Sequence, residues 1–542
     1  VTVAPRYLQW LRTILLLFGA GLILLTAAAI FGARELKGPP LMRSLSVPEA
    51  QVQLHDERRH LQFSGRVSVG AASDGTGPAR LRLEGSGQLN GRAMSIAIDG
   101  DALTHTRADQ PYRFSLQEHS GADALLARGS LTHPFDFRDL QGTFEAAGPD
   151  LKEMYFLVGL RLPDTGPFRL SGHLDRQGKR FTYRELSVTS GQSDMSGTLT
   201  LDSSGSRPRL EGELSSDALR QEDLGARAAG HAPAHSASLR MPETPLPLAA
   251  LRRIDASVNY RARLLRLGPE ALRFVNAVIA TDRGMLSIEG FRASIAQGSL
   301  SGNARLDVTR ELPRAGLNLD AADVPLELMK GKRDGAPAIQ GALNGRVQLS
   351  AVGDSWHDLA RSVNGSISVV VPRGVVRASI AEAASRSIVG TLGALLRSHE
   401  QTPLRCGVVS LDAHEGVLSA RTLVIDTSKV LITGSGSVRM DSERLDLTLR
   451  GQPKHNRLAR PSVVAIRGTL QHPEMQGVGH DVLAATLNTA LTPVAALLSL
   501  IDPRLPQNAD CAALIADAQG SSAASQRAAP RGHSGSRASV GP

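Results

Sequence analysis

Gly191-Gln-Ser-Asp-Met195-Ser-Gly-Thr-Leu199-Thr-Leu201-Asp202 is the stretch whose reading decides the fold. Met195, Leu199 and Leu201 fall on one face of an extended chain, with Ser196, Thr198 and Thr200 on the other. This is the period-2 alternation of a half-covered strand. Leu445-Asp-Leu447-Thr-Leu449 repeats it, as do Leu210-Glu-Gly-Glu-Leu214, Ala304-Arg-Leu306-Asp-Val308, Val347-Gln-Leu349 and Ile367-Ser-Val369-Val-Val371. Short runs of Gly, Asn, Asp and Ser separate these segments, the punctuation of antiparallel hairpins and meanders.

Working outward, GQSDMSGTLTLD (191–202), AQGSLSGNARLD (296–307) and SKVLITGSGSVRMD (428–441) share one pattern. A small-residue step leads into an alternating strand that ends on an Asp turn. The period is loose, so one kind of β unit is laid down repeatedly without a strict solenoid repeat. Composition agrees with this. Aromatics make up 4% of the 542 residues, while Gly reaches 53, which suits many strands joined by tight turns.

Helices are few. Ile380, Ala384, Ile388, Leu392 and Leu395 fall at helical spacing and predict an amphipathic helix near 378–397. Asp481 can N-cap another helix running through Asn488, which Pro493 then breaks or restarts. Packing against the sheet and a membrane hairpin are the two readings of that pair; its Thr, Asn and Pro residues make the hairpin costly in hydrocarbon.

Thr13–Ala33 is an uncharged run of 21 residues. As a helix it would span roughly 30 Å, the thickness of a bilayer core. It predicts an uncleaved anchor. The competing reading is a signal peptide cleaved after Ala27 and Ala29, for which the apolar run is too long. The expected organisation follows from these features. Residues 1–34 form a tail and transmembrane anchor, and 35–225 a first periplasmic β region. Residues 226–248, rich in Ala, His and Pro, are a linker, and 249–480 a second β region. Residues 481–518 hold C-terminal helices, and 519–542, without apolar periodicity, a disordered tail.

Net charge is +9, spread along the chain mostly as Arg. No aromatic residues interleave with basic clusters, so single-stranded nucleic acid is not the expected partner. Catalytic signatures are missing: there is no G-x-S-x-G elbow, phosphate-binding Gly loop, H-E-x-x-H or G-x-G-x-x-G. His231 and His235 are four apart, but among Pro and Ala where no helix aligns them; His55 and His60 sit in a charged stretch. No catalytic residue, metal site or cofactor is expected. Cys406 and Cys511 are the only cysteines. In an oxidising compartment they can pair, stapling the terminal helices onto the last β segment; otherwise they are two thiols in a core.

Several blocks together resemble the AsmA family of envelope proteins, a group related to TamB-like and YhdP-like proteins. They are 148–174 (GPDLKEMYFLVGLRLPDTGPFRLSGHL), 183–199, 207–219, 416–454, 467–477 and 500–518 (LIDPRLPQNADCAALIADA). The resemblance implies a single-pass bacterial inner-membrane protein with most of its chain in the periplasm. It also implies a role in outer-membrane assembly and lipid homeostasis, and a long twisted antiparallel sheet curled into an apolar groove. Phospholipid, the inner membrane and outer-membrane assembly components are the implied partners.

An antiparallel sheet with one apolar face and few helices must curl on itself or hold an apolar guest. In the second case acyl chains would lie along the inner face, each buried CH₂ contributing about 0.8 kcal/mol. Leu199, Leu201, Leu306, Val308, Ile367, Val369, Leu447 and Leu449 are the inward-facing candidates, as groove lining or as plain core. A filled sandwich acting as a scaffold in outer-membrane protein targeting or insertion, through protein contacts, is the alternative. A transmembrane β-barrel lacks its aromatic girdles, and an envelope hydrolase lacks its nucleophile.

Overall fold

The protein is described from a computed structural model. It covers the strands and short turns between residues 47 and 477, and residues 508–527; residues 1–46, 152–164, 224–245, 330–338, 377–401, 478–507 and 528–542, with some short turns, lie outside the description. The anchor stretch Thr13–Ala33, the predicted helix near 378–397 and the one starting at Asp481 therefore lie outside the described residues. Among those described, no helix is long and apolar enough to cross a membrane.

The described residues build one 25-stranded sheet, from β1 (Val47–Asp56) to β25 (Pro473–Gly477). From β1 to β11 (Arg209–Arg220) each strand pairs antiparallel with its sequence neighbours. The same holds from β12 (Asp255–Leu267) onward, with β18 (Asn364–Val371) and β19 (Gly374–Val376) sharing their partners. Between them lies one exception to the expected antiparallel sheet. β11 and β12 run parallel, with Leu210 opposite Ala256 and Leu214 opposite Tyr260. A parallel pair needs a crossover rather than a hairpin, which is why the chain makes its excursion between residues 220 and 255 here. The strands on either side thus belong to one continuous sheet, and residues 226–245 of the stretch read as a linker lie outside the described residues.

The end of that crossover is packed. Leu246, Leu248 and Leu251 lie against the core. The Leu246 N–H donates to the Asp354 carbonyl at 2.7 Å, and the Arg252 guanidinium donates to the Val308 carbonyl at 2.9 Å. Next to this cap, helix α1 (Trp356–Arg361) starts at Ser355, whose hydroxyl accepts from the Asp358 N–H.

Alternation sorts the two faces. The outer face carries cross-strand ion pairs such as Arg346–Asp320 at 2.6 Å and Arg467–Asp446 at 3.6 Å. The inner face is apolar. From β9 (Arg180–Ser190) to β15 (Gly298–Asp307) most of its apolar side chains are buried in one cluster, with Val188, Met195, Ile288 and Leu300 partly buried against it. Among the described residues no α-helix packs on that cluster; Leu246, Leu248 and Leu251 do.

The C-terminal helix α2 (Cys511–Arg527) packs on the outer face. Leu514, Ile515 and Ala518 lie against Val370 and Val408, and the Ser368 hydroxyl donates to the Ala518 carbonyl at 3.0 Å. Asp510 caps the helix by accepting from the Ala513 N–H. The helix runs to Arg527.

Candidate functional site

The candidate site is the apolar, inner face of the sheet. All eight predicted lining residues point to it, but they meet two environments. Leu199, Leu201, Leu306 and Val308 are 3, 0, 7 and 0% exposed and interlock with their neighbours. Leu199 faces Gly212 across the strand pair, and a side-chain carbon on Gly212 would come within 2.5 Å of Leu199 Cδ2. Here the leucine fills the room the glycine leaves. These four positions are core and present no open surface.

Ile367, Val369, Leu447 and Leu449 are only half-buried. They belong to rows that continue from strand to strand. Leu317 pairs with Leu349 and Val347 with Ile367, which in turn faces Leu411. Val369 faces Val409, which faces Leu423. Leu423 and Leu449 both close on Gly434, where an added carbon would sit 2.8 and 2.7 Å from their methyls. Leu449 then faces Val464 and Leu447 faces Ile466. Every residue in these rows is half-buried. From β16 (Arg314–Pro325) to β24 (Ser462–Thr469), counting β18 and β19 as one position, eight strand positions carry this surface. At about 4.8 Å between strands, that is roughly 34 Å measured across them.

Helix α2 does not cover this surface, because a one-residue step changes face. Ile367 and Val369 point inward, while Val370, Val408 and Cys406 point outward to the helix. Cys406 and Cys511 form a disulfide with Cα atoms 5.9 Å apart, fixing the helix on the outer side. Beside it Asp426 is fully buried. It is paired with Lys454, lies 3.6 Å from Arg405 Nε, and accepts the Ala509 N–H at 3.1 Å. Lys454 Nζ also donates to Asn508 Oδ1 at 2.8 Å. The disulfide and this charge cluster together hold residues 508–511 against the sheet.

Buried polar residues interrupt the inner face, Ser120, Arg176, Ser216 and Glu118 among them. Glu118, in β5 (Tyr112–Ser120), sits between Ile96 and Leu125 of the flanking strands and is 2% exposed. Neither carboxylate oxygen has a hydrogen-bond partner. Burial first, and then the neighbouring charge of Asp123, push its carboxyl up to about 7, with Arg92 acting in the opposite sense. The Asp123 carboxylate is itself held by Arg92 Nη1 at 3.0 Å. Sequence reading missed Glu118, although the signal was present. Tyr112, Phe114 and Leu116 alternate inward, and Glu118 occupies the next position in that register.

Nothing in this arrangement resembles a catalytic constellation, and among the described residues no cluster of three or more His, Cys, Asp or Glu could hold a metal. What the face offers is apolar contact along a wall that is closed in its middle and half-open toward the C-terminal strands.

Comparison with known proteins places this fold. The chain is similar to the AsmA family protein YhjG of Escherichia coli strain K12, with 23% identity over 463 residues, covering 80% of this chain and 68% of that protein. No solved structure matches. The model of the AsmA family matches residues 150–423, which run from the end of β7 (Asp136–Gly148) through the parallel joint and into the half-open strands. That match covers just over half the sequence, and the chain belongs to the AsmA family.

Proposed function

We propose that this chain is a non-catalytic protein of the cell envelope, anchored in the inner membrane through Thr13–Ala33, that supports outer-membrane assembly and lipid homeostasis by holding phospholipid acyl chains. Membership of the AsmA family supports the envelope assignment. The single observation behind the lipid reading is the half-buried apolar surface from β16 to β24, which α2 leaves uncovered because it packs on the opposite face. An acyl chain laid across the strands replaces water over Val369, Leu423, Leu449 and Val464, at about 0.8 kcal/mol per buried CH₂. Holding needs no bond chemistry.

The closed core around Leu199 and Leu306 favours a second reading for the middle of the molecule, a rigid scaffold acting through protein contacts. The two readings separate experimentally. A photo-crosslinker at Ile367 or Leu449, irradiated in cells, is expected to give phospholipid adducts, and one at the outward-facing, exposed Thr448 is not. No lipid adduct at either inward position, together with no phospholipid retained in native mass spectrometry of the gently extracted protein, would leave only the scaffold.

A further inference from the structure

We infer that the outer face of the N-terminal half carries a binding site for a phosphate-type oxyanion, separate from the apolar surface and independent of the acyl-chain reading. Between β5 and β9 the sheet's twist leaves a hollow of about 460 Å³ on the charged side. Two rows of directly opposed residues form it. Arg128 of β6 (Asp123–His133) faces Thr143 of β7, which faces His173 of β8 (Phe168–Gln177), which faces Arg184 of β9. In the adjoining row Arg113 faces Ser130, and Ser130 faces Gln141. Opposed side chains in such ladders start about 5 Å apart, so these groups can converge on one small ligand.

The hollow is rich in donors: three guanidiniums, an imidazole, two hydroxyls and an amide. Its one lining carboxylate, Asp175, is already engaged by Arg184 Nη2 at 3.2 Å. Glu185, outside the lining, lies 3.2 Å from His173 Nδ1. Arg113 and Arg128 are exposed and enter no ion pair among the described residues, whereas Arg82, Arg346 and Arg467 on the same face pair with Asp99, Asp320 and Asp446. Two unpaired guanidiniums flanking hydroxyl donors match a tetrahedral oxyanion, whose oxygens accept the paired N–H groups of the guanidinium fork. No Phe, Tyr or Trp lines the hollow, so it lacks the stacking platforms of a single-strand binder and a nucleic acid is the poorer fit. Free phosphate and the phosphodiester of a lipid headgroup share this chemistry.

The test uses the full-length protein in detergent, titrated by calorimetry with inorganic phosphate and, separately, with glycerophosphoglycerol, a lipid headgroup without its acyl chains. Saturable binding of at least one probe is expected. It should weaken about tenfold or more in the double variant Arg113→Gln/Arg128→Gln and stay within about twofold of wild type in Arg82→Gln. Tighter binding of inorganic phosphate identifies a soluble oxyanion as the source, and tighter binding of the diester identifies a lipid headgroup. Both removed side chains are exposed, so an unchanged melting temperature verifies that the double variant is folded; Arg113→Lys/Arg128→Lys, expected to retain part of the affinity, is the second variant. Failure of wild type to bind either probe, or equal binding by the folded double variant, overturns the site.

Discussion

Replacing Glu118 by glutamine should remove a pH dependence of stability from the N-terminal strands. Glu118 lies in the apolar register of β5, 2% exposed, with no hydrogen bond to either oxygen and Asp123 close by. In an unfolded chain its carboxyl would ionise near 4.5; in the folded chain it holds its proton up to about 7. Between those values the native state binds the extra proton. The associated stability is therefore complete below pH 4.5 and declines as pH rises, until it is gone above about 7. At about 1.4 kcal/mol per pH unit over that interval, the loss amounts to roughly 3 kcal/mol. A glutamine amide cannot ionise, so Glu118→Gln should match wild type near pH 4.5 and exceed it by a few kcal/mol at pH 8. Because the unit affected is local, the assay is amide hydrogen exchange of residues 92–131 across pH 4.5–8.5, corrected for intrinsic exchange rates. Wild-type protection should fall relative to the variant as pH rises. Parallel pH profiles for the two proteins would refute the assignment of Glu118 as a buried neutral acid.

Other perturbations test the C-terminal clamp and the core. Cys406→Ser opens a crosslink between residues 105 apart, worth about 4–5 kcal/mol in the chain-entropy description, so α2 should become protease-sensitive and the melting temperature should fall. Asp426→Ala leaves the Lys454 ammonium, 5% exposed, without its buried counter-charge; a loss of roughly 3–5 kcal/mol is expected in denaturant unfolding, and Asp426→Asn should recover part of it. Gly212→Val drives a side chain into Leu199 Cδ2 and the Thr198 carbonyl, so destabilisation of about 1–3 kcal/mol is expected by thermal melting. Leu449→Asn places an amide on the half-open surface; it should reduce lipid crosslinking at Ile367 with little change in melting temperature, because the site is only half-buried.

Much of the fold was readable because a strand's period is local. Met195, Leu199 and Leu201 announce their common face without reference to any partner, and so do Leu445, Leu447 and Leu449. Local pattern could not say what meets that face from across the groove. Leu199 and Leu449 look alike in sequence, yet one is sealed and the other half-open. The parallel joint was hidden for a related reason: the chain between Arg220 and Asp255 reads as a linker whether it separates two domains or returns the chain to pair alongside the strand it left. β20 (Thr402–His414) carries apolar residues on both faces, Val408 outward and Val409 inward, and that signature marks the strand α2 covers from outside. Arg113 and Arg128 gave no signal, because their convergence depends on the pairing register of β5 with β6.

The change of strand direction between β11 and β12 also bears on how the molecule is made. Up to Arg220, each new strand finds its neighbour already in place, so the early part can zip together as the chain lengthens. The next partner is not available until the chain has been delivered as far as Asp255 and beyond. Until then the 12-residue edge of β11 stands bare, a template open to wrong pairing. Shortening the crossover so that it can no longer run back along β11 would leave two half-sheets, each with an unsatisfied edge and a natural tendency to find the other half in a neighbouring molecule.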